Sequence, residues 1–119
     1  MADAETLSEL KASSSKLLEE KRAKVKQMLD NARQLSKDTR DLAKLEYVIE
    51  LRAATDKMRL TNDMARKASA GVEKAENARI AELENRILEK RLENQGLDRH
   101  IEIIDAEVRM NLVLMEKLG

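Results

Sequence analysis

Proline, cysteine, tryptophan and phenylalanine are all missing from this 119-residue chain, and glycine occurs only three times. Without cysteine there is no disulfide scaffold and no thiolate metal site, a pattern that fits a reducing compartment. Tyr47 is the sole aromatic residue, and aromatics make up 1% of the chain. A compact core of this length normally leans on several such residues, because each buries a large apolar area. The 23 basic and 23 acidic side chains cancel to a formal net charge of +0. That removes the simplest case for a nucleic-acid or anionic-membrane protein. No apolar run approaches the ~20 residues of a membrane span, and the opening MADAETLSEL lacks a basic-then-apolar signal pattern. The expectation is a soluble, cytoplasmic chain. His100 is the only histidine, and no glycine-rich phosphate loop is present. No catalytic, cofactor-binding or metal-binding residue is expected, and no small-molecule substrate.

What the chain does contain is alanine, glutamate, lysine, leucine and arginine, with 39% charged and 42% hydrophobic residues. This is the composition of long helices and coiled coils. Between residues 80 and 118 a seven-residue repeat holds one frame. Ile80, Ile87, Asn94, Ile101, Val108 and Met115 form the a row, and Leu83, Lys90, Leu97, Ile104, Asn111 and Leu118 form the d row. β-Branched residues at a with leucine at d favour two parallel strands. The apolar members of both rows, with Asn94, constitute the expected dimer seam.

An earlier seam is legible with Leu18, Val25, Ala32 and Thr39 at a, and Lys21, Met28, Leu35, Leu42 and Ile49 at d. The frame then shifts. Leu51, Met58, Ala65 and Val72 keep the spacing, followed three residues later by Ala54, Thr61, Ala68 and Ala75. Such offsets unwind or overwind a supercoil locally, and an alanine seam buries little area. Four segments follow: a frayed start over 1–15, a first coiled-coil segment over 16–50, an alanine-rich or register-shifted segment over 51–79, and a second coiled-coil segment over 80–119. Thr6 or Ser8 offers an N-cap, with Glu9 placed for a capping box.

The weakest stretch is 67–72, where Gly71 costs about 1 kcal/mol relative to alanine. A tight reversal normally recruits several turn-forming residues. The pattern therefore favours one mostly continuous helix of roughly 110 residues, ~165 Å long at ~1.5 Å per residue. An antiparallel hairpin reversing near Gly71, or a larger bundle, is the alternative.

Asn94 at an a position can pair with its own copy in a parallel dimer and so penalise other registers. The flanking charges are mixed in such a dimer. Arg79 with Glu84 attracts, whereas Arg86 with Arg91 and Glu93 with Asp98 repel. Each exposed pair is worth only a few tenths of a kcal/mol. They leave room for a different helical partner.

Near the end of the chain the apolar residues spread past the seam. Met110, Leu112, Val113 and Leu114 form a possible partner face. Lys16, Lys21, Arg22, Lys24 and Lys26 form a possible polyanion-binding face, interleaved with Glu19 and Glu20.

Residues 93–102, ENQGLDRHIE, resemble in part the central region of a membrane-fusion SNARE helix. The layer position of that family is taken here by Asn94, and Gln95 falls at b, so nothing of the family's function is carried over. In general pattern the chain is similar to coiled-coil regions of cytoskeletal, centrosomal and kinetochore scaffolds. The expected function is non-enzymatic: oligomerisation, with the dimer favoured, and scaffolding through other helical proteins. Binding to a microtubule or another polyanion is the alternative.

Overall fold

The computed structural model describes residues 2–59 and 63–119, with side chains over 3–56 and 64–119. The fold is all-α. Helix α1 spans Ala2–Arg59 and helix α2 spans Asp63–Leu118. The absence of proline leaves every internal amide able to donate along each helix. Asp3 and Glu5 sit in the first turn of α1 and Lys117 in the last turn of α2, each opposing the local end of the helix dipole.

The described residues fall in two helices, not one, which corrects the expectation of a single continuous helix. Gly71 lies within α2 with ordinary backbone angles, so the weak stretch at 67–72 is helical. One glycine lowers helix propensity by too little to end a helix that packs against a neighbour. Thr6 and Ser8, expected as caps, lie inside α1, as does the serine triplet at 13–15. Met58 and Thr61 fall outside the described side chains.

The chain divides into two compact units. Unit 1 comprises Met1–Asn31 with Leu92–Gly119, and unit 2 comprises Ala32–Arg91. In each unit α1 and α2 run antiparallel. Within unit 1, Ser14 meets Asn111, Lys21 meets Asp105 and Asn31 meets Asn94. Within unit 2, Asp38 meets Arg86, Arg52 meets Glu76 and Asp56 meets Ser69. Within each unit the α2 number falls as the α1 number rises, which is the signature of antiparallel pairing.

The expected a and d rows over 80–118 are the inward face of α2. Leu83, Ile87 and Ile104 are buried, and Ile80, Asn94, Leu97, Ile101, Val108, Met115 and Leu118 are half-buried. They pack on α1 of the same chain. Ser69 and Glu76 extend the d row backwards in steps of seven and are half-buried, whereas Arg66 and Glu73, the corresponding a positions, are exposed.

The frame of α1 differs from expectation. Lys21, Met28, Leu35, Leu42 and Ile49 do face inward, but their companions are Leu17, Lys24, Asn31, Asp38 and Leu45. Leu18, Val25, Ala32 and Thr39 are exposed, as are Leu51, Ala54, Ala68, Val72 and Ala75. The reason is polar matching. Turning Ala32 and Thr39 inward would part Asp38 from Arg86 and take Asn31 away from Asn94, leaving that carboxamide facing carbon. A buried polar group without a partner costs about 1–3 kcal/mol, more than alanine or threonine burial returns.

Candidate functional site

The chemistry of this molecule is concentrated on the two inward faces, where polar side chains interrupt the apolar rows at matched heights. In unit 1 the buried Asn31 donates from Nδ2 to Asn94 Oδ1 at 2.9 Å and to Glu93 Oε2 at 3.1 Å. Asn94 returns a bond from Nδ2 to the main-chain carbonyl of Met28 at 3.3 Å. A carboxamide has two donors and an acceptor, so one asparagine can serve both a side chain and the backbone. Asn111 donates to Ser14 Oγ at 3.2 Å and to Ser13 Oγ at 3.4 Å. Lys21 Nζ lies 2.7 Å from Asp105 Oδ1 in a partly exposed pair.

Unit 2 uses charge. The Asp38 side chain is 2% exposed; its Oδ1 accepts from Gln34 Nε2 at 2.9 Å and forms an ion pair with Arg86, whose Nη2 lies 3.2 Å away. Its Oδ2 is buried without a hydrogen-bond partner. Arg52 holds the Glu76 carboxylate with both terminal nitrogens. That hydrogen bond is the main reason its guanidinium is held above its ordinary pKa, with the charges of Glu76, Asp56 and Glu73 adding to it against a lowering by burial. Ser69 Oγ donates to Asp56 Oδ2 at 2.9 Å. A cleft of about 390 Å³ opens here, lined among others by Arg52, Asp56, Arg66, Ser69, Glu73 and Glu76.

These groups are arranged to fasten one helix to the other. Arg52 with Glu76, and Ser69 with Asp56, satisfy one another across the pair. Among the described residues no cluster of three or more metal-capable side chains occurs, and no helix is long and apolar enough to cross a membrane.

Outside the inward faces, all four residues of the expected partner face, Met110, Leu112, Val113 and Leu114, are exposed. The basic cluster is divided. Lys16, Arg22 and Lys26 are exposed, whereas Lys21 and Lys24 are half-buried on the inward face, Lys21 being joined to Asp105. His100 lies on the surface of unit 1.

Sequence reasoning missed Ser14, Asn31, Asp38, Arg52, Glu76 and Asp105 as inward residues. A cross-match was available. The α2 row puts Asn111 and Asn94 seventeen residues apart, and Ser14 and Asn31 on α1 repeat that interval in the opposite direction. Comparison of the chain with known protein families, characterised proteins and solved structures finds no match.

Proposed function

We propose that this chain is a non-enzymatic coiled-coil module that self-associates and gathers other helices, serving as a scaffold element in a cytoskeletal, centrosomal or kinetochore-type assembly of the cytoplasm. The observation that carries this reading is the imbalance between core and surface. Only Leu83, Ile87 and Ile104 are buried hydrophobic residues among those described, while fifteen large hydrophobic side chains are exposed. Where such residues adjoin, as at Met110, Leu112, Val113 and Leu114, they make an apolar face that another protein can cover. Helices answer it most readily, because an i, i+3, i+4, i+7 row is complementary to another such row.

In this reading the seam over 80–118 closes on α1, and association uses the outer faces. The test is mass against concentration for the intact chain, by light scattering and sedimentation equilibrium. A dimer or higher assembly at micromolar concentration is the expected result. A monomer at every concentration that also captures no helical protein overturns it.

A second reading keeps the basic face as a contact for a microtubule or another polyanion, supported by the exposure of Lys16, Arg22 and Lys26. Affinity that falls steeply with added salt is its mark. Salt-insensitive self-association without polyanion binding removes it.

A further inference from the structure

The back of α2 in unit 1 carries a second apolar row, opposite the one that meets α1. Leu92, Gly96, Ile103, Ala106, Met110 and Val113 follow one another in steps of three, four or seven residues, so they share a face. Leu92, Ile103, Met110 and Val113 are each 50–66% exposed. Gly96 has nothing within 4 Å of the place a Cβ would occupy, so another helix can approach its backbone closely. Arg99 is the one charged member of the row, and its long stem can lie along apolar surface with its head in water.

We propose that this row binds the same row of a second copy, antiparallel about a two-fold axis, to give a dimer with α2 against α2. The proposal rests on the self-association reading above and names its surface. The occupant is selected by charge. The row is flanked on one side by Glu102 and Arg109 and on the other by His100 and Glu107, all exposed. Antiparallel pairing that sets Ile103 on Ala106 of the second copy also sets Gly96 on its Val113. In that register Glu102 faces Arg109 of the second copy, and His100 faces its Glu107. Two-fold symmetry makes each contact twice, the self-complementarity that a closed dimer requires. A parallel pairing of the same row would bring Glu102 against Glu107 of the second copy, a repulsive contact. Opposed charges set orientation more than they set affinity, and orientation is what this pattern decides.

The test uses the full chain, with mass measured by light scattering over a range of concentrations. Ile103→Glu with Met110→Glu should weaken the dimer by about a hundredfold or more, since each carboxylate would be buried without a partner. The helical circular dichroism should be unchanged. Glu102→Arg and Arg109→Glu should each weaken it, and the two together should restore it. The cysteine-free chain also permits a geometric readout. Chains carrying Gly96→Cys should cross-link to chains carrying Val113→Cys, and neither should cross-link to itself. A dimer that survives Ile103→Glu with Met110→Glu overturns this interface and leaves the self-association reading standing. So does failure of the charge exchange to restore association, or self-cross-linking at position 96. A wild-type chain that stays monomeric overturns this interface and, with it, the self-association part of the reading above.

Discussion

In unit 2 the helices meet over Leu83 and Ile87 and are tied by charged pairs, Asp38 with Arg86 and Arg52 with Glu76. In unit 1 they meet over Ile104 and are tied mainly by neutral groups, Asn31 with Asn94 and Ser14 with Asn111. The two solutions answer different demands. An apolar contact supplies binding but tolerates sliding by one heptad, because leucine against isoleucine is nearly as good one step away. A polar layer penalises every register except the one in which both partners meet. Neutral amides do this without charge desolvation. A buried carboxylate does it at greater cost, and Asp38, with one oxygen unbonded, carries that cost in unit 2.

The comparison can be tested from its largest effect downwards. Leu83, 1% exposed, is the most enclosed apolar residue described. Leu83→Ala should destabilise the chain by about 3 kcal/mol, read from the urea midpoint, and amide exchange should quicken first in unit 2. Equal acceleration in both units would mean that they open as one. Asn31→Leu should cost about 2 kcal/mol, because Asn94 Oδ1 loses its donor in a half-buried site. Adding Asn94→Leu should return most of that loss and admit other registers, visible as broadened amide resonances. No recovery in the double variant would show that the asparagines act separately.

The opposite sign is expected in unit 2. Asp38→Leu should raise stability by about 1 kcal/mol, because Arg86 is 40% exposed and can turn to water. A large loss would make that ion pair a net stabiliser and erase the contrast between the units. Gly71→Ala should add about 0.5 kcal/mol, since the site is helical and open. A loss there, by thermal melting, would place a neighbour against that face.

The all-α class and the inward row of α2 were legible because isoleucine, leucine and valine recur in one frame with few competitors. The α1 row was not, and the cause is specific. Leu18 and Val25 are good seam residues by type, whereas Lys24, Asn31 and Asp38 look like solvent-facing residues. Hydrophobic periodicity ranks each helix alone, and on that ranking the wrong row wins. The correct row is chosen by what the opposite helix presents, which is long-range information. The division of the chain into α1 and α2 was hidden for a related reason. Glycine is a usual sign of a turn, yet Gly71 is an ordinary helical position. The exposed face at 110–114 was legible from apolar crowding, but its continuation through Ile103 and Leu92 lay among charges that masked it.

One bond in unit 1 bears on how this chain can drift in sequence. Asn94 is held on one side by the side chain of Asn31 and on the other by the carbonyl of Met28, a group that every amino acid possesses. Substitutions at position 28 leave that acceptor in place, so the position is free to vary among residues of similar bulk. Positions 31 and 94 have no such latitude: a descendant that changes one must change the other. A pair of co-varying sites beside a permissive one is the trace this helix pair should leave in its lineage.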